Sequence, residues 1–296
     1  MRMLVTGREG QLVRALCERA PAAGFEIIAL GRPELDLAGP CDTLVEAVEA
    51  VRPEVIVSAA AYTLVDKAES EPEIAFAVNA EGPGALADAA RSLQIPLIHL
   101  STDYVFDGSK PAPYDEDDAT GPQGIYGASK LAGEGAVLTR NPNSTVLRTA
   151  WVYSPFGSNF VKTMLRLARD RDEVGVVADQ RGNPTSALDI ADGVLTVARN
   201  LLDNEDPALR GIFNMTARGE ASWAEFAEAV FAASADLGGP DAKVRHIATS
   251  DFPTAARRPA NSRLDSSRLA RVHGVSLPDW HQSVKQVVER LLQDGA

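Results

Sequence analysis

The chain has 296 residues, of which 45% are hydrophobic and 24% are charged, and its formal net charge is −12. These values are typical of a globular protein with a substantial core. The acidic balance argues against a nucleic-acid partner, which would need a basic face. Cys17, Cys41 and the four histidines show no metal-ligand spacing, so we expect neither a disulfide framework nor a metal site. The sequence opens without a leader, and no apolar run reaches about 18 residues, which predicts a cytoplasmic protein with no membrane partner.

Short apolar runs alternate with amphipathic segments through the first half of the chain. The runs MLVTG, FEIIAL, EVIVSAAA and IPLIHLST predict strands, and helices are expected at about 10–22, 40–51, 70–93 and 125–140. This alternation is typical of a parallel sheet with crossover helices. The sequence therefore predicts an α/β fold with a doubly wound, Rossmann-like parallel sheet.

The second half of the chain does not show this regular alternation of predicted strands and helices. STVLRTAWVY, DEVGVVAD and GIFNMTA predict further strands, a helix is expected at about 159–170, and Ser222 is positioned to cap another helix. No Gly/Ser-rich or Pro-rich linker separates the two halves. We expect residues 1–158 to form the sheet domain, with part of 173–217 interleaved, and residues 159–296 to form mainly a smaller C-terminal α+β lobe.

A glycine-rich turn follows the first predicted strand. In TGREGQLV, Gly7 and Gly10 lie where the strand turns into a helix, so that backbone amides can approach a pyrophosphate. Val13 occupies the third position of the usual pattern, where a glycine normally serves close packing of helix on strand. Either the helix stands farther from the strand or the packing is rearranged. The motif predicts a dinucleotide site, with ordinary turn glycines as the alternative.

The end of the second predicted strand indicates which dinucleotide is bound. An acidic residue there would bind the 2′-hydroxyl of NAD, whereas an arginine accommodates the 2′-phosphate of NADP. This chain has Gly31 and Arg32 at the position. Arg32 therefore favours NADPH, with NADH as a second cofactor, although it could equally be a solvated loop residue. Asp36 and Leu37 follow at a distance suited to flanking the adenine.

The stretch YGASK contains a tyrosine and a lysine four residues apart. Tyr126 and Lys130 would share one face of a helix. An ammonium near a phenol stabilises the phenolate and lowers the tyrosine pKa toward the working pH, so Tyr126 could exchange a proton with a substrate. The same spacing is also common between solvated surface residues.

Together these motifs resemble the extended short-chain dehydrogenase/reductase family. The glycine turn, SAAAYT, LSTDYVFDG and YGASK follow one another in that family's order. Within the family, AAAYTLVDKAES, STDYVFDG, ADQRGNPT and RRPANSRLD are most similar to members that reduce dTDP-linked 4-keto sugars. The likeness covers nearly the whole chain. It implies an NADPH-dependent oxidoreductase of polysaccharide biosynthesis, with NADP bound by the sheet domain and the nucleotide sugar by the C-terminal lobe.

The resemblance also implies roles for individual residues. Thr102 would hydrogen-bond the substrate carbonyl, Tyr126 would donate the proton, and Lys130 would hold the ribose hydroxyls. The cofactor-binding residues would be Gly7, Gly10, Gln11, Leu12, Arg32, Asp36, Leu37, Ala59, Ala60, Ala61, Tyr62, Asn79, Ser101, Tyr126 and Lys130. The substrate-binding residues would be Val65, Thr102, Asp103, Tyr104, Trp151, Asn159, Gln180, Thr185 and Arg258.

Several alternatives stay open at this point. Some family members dimerise through a magnesium site built from glutamates, but Ala15 and Leu188 occupy those places here. Because a hard cation needs carboxylates, we expect a monomer or a homodimer without a bridging metal. The substrate could be another nucleotide-linked 4-keto sugar. A non-catalytic NADP-binding regulatory subunit is the alternative from a different class, and the presence of both Tyr126 and Lys130 argues against it.

Overall fold

The computed structural model describes residues 1–294, so positions 295–296 of the predicted lobe lie outside the described residues. Its main sheet has six strands, all parallel, in the order β2-β1-β3-β4-β5-β10. The strands are β1 (Arg2–Thr6), β2 (Glu26–Leu30), β3 (Val55–Ser58), β4 (Leu97–Thr102), β5 (Ser144–Thr149), β6 (Val152–Tyr153), β7 (Glu173–Val177), β8 (Arg181–Gly182), β9 (Thr185–Ser186), β10 (Gly211–Asn214), β11 (Ala221–Ser222) and β12 (Lys243–Ile247).

Helices connect these strands and cover both faces of the sheet. They are α1 (Gln11–Arg19), α2 (Cys41–Val51), α3 (Val65–Ala68), α4 (Pro72–Phe76), α5 (Gly82–Ser92), α6 (Ile125–Arg140), α7 (Phe160–Ala168), α8 (Ala187–Asp203), α9 (Trp223–Ala235), α10 (Ser267–His273) and α11 (Trp280–Gln293). A π-helical turn, Ala77–Glu81, joins α4 to α5. None of the helices within residues 1–294 is long and apolar enough to cross a membrane.

The side-chain alternation of β1 shows why the sheet is buried on both faces. Met3 and Val5 belong to the hydrophobic cluster that contains α1 and α8, whereas Leu4 belongs to the cluster that contains α2 and α5. All three side chains are fully buried, as expected for a strand whose neighbouring side chains point to opposite faces. The predicted doubly wound α/β fold is confirmed.

The strand order places a crevice at the carboxyl ends of β1 and β3. The chain runs from β1 outward to β2 and then returns to β3 on the other side of β1. Ligands of open α/β sheets bind where the order reverses in this way. The loops after β1, β3 and β4 therefore meet at one edge of the sheet.

A second hydrophobic cluster forms around α7, α9 and α11, beside the parallel pair of β7 and β12. The α9 helix begins with the predicted cap: the Ser222 hydroxyl accepts from the Glu225 amide, and the Glu225 carboxylate accepts from the Ser222 amide. The segment GIFNMTA forms β10 in the main sheet, whereas β7 packs with the second cluster. The division into domains near residue 158 stays a prediction.

One predicted strand is interrupted. STVLRTAWVY divides into β5 and β6, because Trp151 adopts a left-handed backbone conformation with φ of 47°. Such a conformation is uncommon for a residue other than glycine. The break turns the chain away from the main sheet, and β6 pairs instead with β9.

Candidate active site

The glycine turn after β1 has the conformation that the motif predicts. Gly7 has φ of 100°, and its amide donates to the Leu30 carbonyl at 2.6 Å. A Cβ at Gly7 would lie 3.3 Å from a Val13 methyl group and 3.4 Å from the Ala60 Cβ. Val13 therefore fills the space that the absence of side chains at Gly7 and Gly10 leaves open. This is the rearranged packing that the missing third glycine had left as one of two possibilities.

The turn leads into a helix N-terminus that is suited to an anion. Gly10 is the N-cap of α1 and has no side chain that could accept a hydrogen bond. The first amides of the helix, including those of Gln11 and Leu12, therefore have no hydrogen-bond acceptor within the helix. A Cβ on Gly31 would lie only 3.4 Å from the Gly7 Cα, so the two loops meet backbone to backbone. This close approach, together with the uncapped helix dipole, fits the pyrophosphate of a dinucleotide.

The loop after β2 presents an arginine to solvent. Arg32 is exposed and makes no ion pair within residues 1–294, whereas the nearby Arg8 pairs with Glu34 at 2.5 Å. Arg32 is thus available for a ligand phosphate. The Asp36 carboxylate accepts from the amide of Ala38 at 3.1 Å.

Leu37 lies in the core rather than on an open surface. Its side chain is 6% exposed and belongs to the cluster between α2 and α5. A Cβ at Gly82 would come 2.5 Å from the Leu37 carbonyl oxygen, so α5 packs directly on this backbone. Any contact of Leu37 with an adenine would have to use its backbone or the edge of its side chain.

The loop after β3 is fixed by the end of β1. The amides of Ala59 and Ala60 both donate to the Thr6 hydroxyl at 3.0 Å. Ala59, Ala60 and Ala61 are all partly exposed. The structure therefore brings this loop next to Gly7 at the predicted cofactor crevice.

Asn79 connects the loop after β3 to α6 and has no exposed surface. Its side chain accepts from the Tyr62 amide at 2.8 Å and donates to the Tyr62 carbonyl at 3.2 Å and to the Ser129 hydroxyl at 3.0 Å. Ser129 in turn donates to the Tyr126 carbonyl. Asn79 therefore positions the tyrosine helix through Ser129, a residue that the sequence had not singled out.

Thr102 and Tyr126 meet at the carboxyl end of β4. Thr102 ends the strand with 5% exposure, and Tyr126 is a partly exposed residue in the first turn of α6. The Thr102 side chain acts to lower the Tyr126 pKa, although burial has the larger effect and raises it. Tyr104 packs edge to face on Tyr126 with ring centroids 5.5 Å apart. Thr102, Tyr104 and Tyr126, which were all predicted to belong to the site, therefore lie together at the carboxyl end of β4.

Lys130 lies on the same helix as Tyr126, but its ammonium is directed elsewhere. Nζ donates to the Leu100 carbonyl at 2.6 Å and lies 3.3 Å from His99 Nε2. Burial raises the Tyr126 pKa, and Lys130 is not among the groups that act on it. The ammonium points toward β4, and the lowering of the Tyr126 pKa by Lys130 stays a prediction.

A buried ion pair lies beneath the lysine. Glu134 accepts from Arg148 at 2.9 and 2.7 Å, and both side chains are 2% exposed. Ser101, predicted to bind cofactor, donates its hydroxyl to Glu134 at 2.5 Å. Burial lowers the pKa of Lys130 to about 8, and Glu134 partly opposes this. Glu134 was missed in the sequence, although its position four residues after Lys130 on one helix face could have indicated it.

Asp103 is buried beside the reacting end of the site. It is 3% exposed and accepts from the Thr102 hydroxyl at 2.9 Å. Burial raises the pKa of Asp103 to about 6. Its carboxyl group is therefore close enough to contact a ligand held at Thr102.

Trp151, which was predicted to bind substrate, belongs to an aromatic stack. Trp151 lies on Trp223 with ring centroids 3.7 Å apart and an angle of 8° between the rings. Gly182 packs against the indole, and a Cβ there would overlap the Trp151 ring. Trp223 was not predicted. Val65 is partly exposed at the start of α3.

A cavity of about 530 Å³ is lined by Gln180 and Arg258 together with the exposed Phe252. The Gln180 amide donates to Thr249 at 3.0 Å, which holds one wall to the segment Thr249–Asp251. Arg258 donates to Asp66 at 2.6 Å. Two of the predicted substrate residues therefore share this cavity.

Asn159 and Thr185, also predicted to bind substrate, lie outside this cavity. Asn159 caps α7, and its amide nitrogen donates to Gln11 at 3.0 Å and to Ser154 at 2.8 Å. Thr185 has no exposed surface and donates to the Asn183 carbonyl. Both polar groups are engaged inside the protein.

The positions of the family's magnesium carboxylates are apolar and buried. Ala15 on α1 and Leu188 on α8 belong to one hydrophobic cluster. Within residues 1–294 no group of His, Cys, Asp or Glu side chains is arranged to hold a metal ion. The absence of a metal-bridged dimer stays a prediction.

Solved structures define the class of protein. A dTDP-4-dehydrorhamnose reductase from Clostridium acetobutylicum is similar with a TM-score of 0.91 and 37% identity, covering 99% of this chain and 100% of that chain. A dTDP-4-dehydrorhamnose reductase from Bacillus anthracis, in complex with NADP, has a TM-score of 0.89 and 34% identity, covering 98% and 99%. The fold is that of the Rossmann-like short-chain dehydrogenase/reductase class.

Sequence comparison narrows this class to one family. The model described as RmlD substrate binding domain matches residues 1–293. A dTDP-4-dehydrorhamnose reductase from Sinorhizobium fredii is 54% identical over 296 residues, which are 100% of this chain and 99% of that protein. The chain belongs to the dTDP-4-dehydrorhamnose reductase family, and the resemblance inferred from the motifs is confirmed.

Proposed function

We propose that this protein reduces the C4 keto group of dTDP-4-dehydro-L-rhamnose with NADPH, giving dTDP-L-rhamnose for surface polysaccharide. Its similarity to reductases of that name, one of them solved with NADP, supports the substrate and the cofactor. The observation that carries the chemistry is that Tyr104 contacts both Tyr126 and Thr102 and so brings the two together at the carboxyl end of β4. NADPH, when bound, supplies the hydride.

The chain itself supplies the proton and the orientation. Thr102 and Tyr126 would both hydrogen-bond the keto oxygen, and Tyr126 would pass its proton to that oxygen as it becomes a hydroxyl. Because burial raises the Tyr126 pKa, the phenol is protonated before reaction, as a proton donor must be. Asp103 and the stacked Trp151 would fix the sugar on the other sides.

Charged and backbone groups would hold the two ligands. The amides around Gly7 and Gly10 would bind the cofactor pyrophosphate, and Arg32 would bind the 2′-phosphate. Lys130 would bind the ribose. Arg258, which lines the cavity of about 530 Å³, would bind the substrate diphosphate, because a guanidinium can grip phosphate oxygens bidentately.

Two alternatives make different predictions. A reductase for another nucleotide-linked 4-keto sugar would use the same Thr102–Tyr126 pair and differ only in substrate. A regulatory NADP-binding subunit would not need that pair at all. The position of Tyr126 next to Thr102 and Tyr104 favours an enzyme over a regulatory subunit.

The deciding measurement is loss of NADPH absorbance with enzymatically generated dTDP-4-dehydro-L-rhamnose. It is repeated with NADH and with a GDP-linked 4-keto sugar. Turnover confined to the dTDP sugar supports the proposal, whereas turnover of the GDP sugar alone contradicts the substrate. Tyr126→Phe should lower kcat by about 10²–10⁴-fold while the protein still binds NADPH. Tyr153→Phe, which removes a buried hydroxyl that donates to Trp280, is the control and should stay close to wild type.

The assembly and location belong to the same proposal. We propose a monomer or a homodimer without a bridging metal, supported by the apolar burial of Ala15 and Leu188. We also propose a cytoplasmic location, supported by Cys17 and Cys41, which are exposed and free rather than joined in a disulfide.

A further inference from the structure

A fully buried histidine lies behind the catalytic lysine. His99 is in the middle of β4 with no exposed surface. Its Nε2 lies 3.3 Å from the Lys130 ammonium, and its Nδ1 lies 3.1 Å from the hydroxyl of Ser58 at the end of β3. The Leu100 carbonyl accepts from the same ammonium at 2.6 Å. Two consecutive links thus run from β3 through β4 to α6, and the Leu100 carbonyl adds a second link from β4 to α6.

The donor and acceptor roles in this chain follow from chemistry. An ammonium has only donors, so His99 Nε2 can face it only as an acceptor. The imidazole must then be neutral with its proton on Nδ1, which donates to the Ser58 hydroxyl. Burial holds the pKa of His99 well below its ordinary value, and the Lys130 charge lowers it further. A charged imidazole would place two cations against each other in the core.

We infer that His99 is a positioning residue for Lys130. Its Nε2 and the Leu100 carbonyl take two of the three ammonium hydrogens, which fixes the rotation of the group and leaves the third hydrogen for a ligand. The Ser58 hydroxyl accepts the Nδ1 proton and so stabilises the tautomer that the ammonium requires. The inference rests on the proposed function, because Lys130 is assigned there to the cofactor ribose.

Besides the Leu100 carbonyl, His99 is the hydrogen-bond acceptor that residues 1–294 provide for the Lys130 ammonium. The charged neighbour on its own helix is Glu134, which is already held by Arg148 from β5 and by Ser101 from β4. A histidine that only filled space in the core would not need to direct a hydrogen-bond acceptor at the Lys130 ammonium on α6. A positioning role and a core-filling role of His99 predict different effects on the Lys130 titration when groups of similar size replace the imidazole.

The test compares His99→Leu, which removes the acceptor, with His99→Gln, which keeps one. NADPH affinity is measured by fluorescence titration, and the titration of the Lys130 amine is followed by NMR of ¹⁵N-lysine-labelled, cofactor-free protein. Loss of an acceptor removes stabilisation of the charged ammonium, so the Lys130 titration should move to lower pH by about one unit in His99→Leu. NADPH binding should weaken about tenfold, and His99→Gln should recover most of both effects.

Ser58→Ala is the second variant, which keeps the test valid if His99→Leu fails to fold. It leaves the imidazole in place but removes the acceptor of its Nδ1 proton, which weakens the tautomer with a free Nε2, so it should move the Lys130 titration in the same direction by a smaller amount. An unchanged titration and NADPH affinity in His99→Leu, or in Ser58→Ala if only that variant folds, would overturn the inference. So would a loss in His99→Leu that His99→Gln does not recover.

These readouts separate the inference from the proposed function. Wild-type protein that binds NADPH but does not turn over the dTDP sugar would contradict the proposed function. The Lys130 titration would still test whether His99 positions Lys130. If the wild-type protein is active, the separate effects of the variants on kcat and on the KM for NADPH provide a further check. A positioning role predicts a raised KM together with an earlier alkaline loss of kcat, whereas general core damage would lower the unfolding midpoint without moving the alkaline limb.

Discussion

The Arg258 guanidinium donates to the Asp66 carboxylate at 2.6 Å, and the two residues are 192 positions apart in the sequence. The other oxygen of Asp66 accepts from the Ala256 amide at 3.0 Å. One carboxylate at the start of α3 therefore fixes both the arginine and the backbone that line the cavity of about 530 Å³. Arg258 Nη1 is buried and has no partner within residues 1–294, which leaves it for a ligand oxygen.

Asp66→Asn should weaken substrate binding without removing any reacting group. We expect the KM for the dTDP sugar to rise about fivefold to tenfold, equivalent to about 1 kcal/mol, with kcat changed less than twofold. Steady-state kinetics with the sugar varied at saturating NADPH measure this. Asp88→Asn breaks an exposed pair with Arg140 at 2.8 Å, away from the cavity, and should leave the KM unchanged. An equal effect in both variants would argue that Asp66 has no special role.

Gly182→Ala should displace Trp151, because a Cβ at that position would overlap the indole. Overpacking costs roughly 1–3 kcal/mol, and a moved indole should raise the KM for the sugar. Urea unfolding and kinetics would be measured together. Gly135→Ala on α6 is the matched control, since nothing lies within 4 Å of its added Cβ. It should stabilise the protein by about 0.5–1 kcal/mol and leave the KM unchanged.

Glu134→Gln should destabilise the protein strongly. Arg148 would be left buried at 2% exposure without its counter-charge, and breaking such a pair costs about 3–5 kcal/mol. The free energy of unfolding from urea titration checks this. Glu173→Gln, which breaks the exposed pair with Arg245 at 3.1 Å, should cost about 0–1 kcal/mol. Similar losses in the two variants would contradict the electrostatic account.

Local patterns in the sequence predicted much of the fold. The helix expected at 125–140 is α6, Ile125–Arg140, because its pattern of apolar residues is a short-range property. The helix expected at 70–93 spans α4 and α5 but is interrupted by the π-helical turn that contains Asn79. The Asn79 carbonyl lies where a Cβ on Gly133 would be, so contact with a distant helix accompanies this interruption.

The predicted active site converged for a similar reason. Gly7 and Ala60 follow parallel strands and Thr102 ends one, and the carboxyl ends of such strands share one edge of the sheet. The uses of Asn159 and Thr185 could not be predicted, because their partners are set by packing that no local pattern encodes. The direction in which Lys130 points is likewise a tertiary property. Spacing placed it on the right helix face but could not show that the ammonium reaches the Leu100 carbonyl.

Lys130→Met should make the cofactor-free protein more stable at neutral pH. Burial lowers the Lys130 pKa from 10.5 to about 8, so below pH 8 the folded state carries a charge that it disfavours relative to the unfolded chain. The penalty is complete there, fades between about pH 8 and 10.5, and is absent above that range. At about 1.4 kcal/mol per pKa unit, the stability of Lys130→Met relative to wild type should be roughly 3 kcal/mol higher at pH 7 than above pH 10.5. Unfolding midpoints across pH measure it, and Lys285→Met, at an exposed site on α11, should show no such trend. A gain that persists above pH 10.5 would contradict the cause.

Arg32→Ser should change the choice of cofactor rather than the chemistry. The Arg32 side chain is exposed and free of ion pairs within the described residues 1–294, so its removal should not destabilise the fold. If it binds the 2′-phosphate, kcat/KM for NADPH should fall about fivefold to tenfold. The value for NADH, which lacks that phosphate, should stay within twofold and so provides the internal control. Parallel losses with both cofactors would mean that Arg32 contacts something other than the 2′-phosphate, and no loss with either would make it a solvated loop residue.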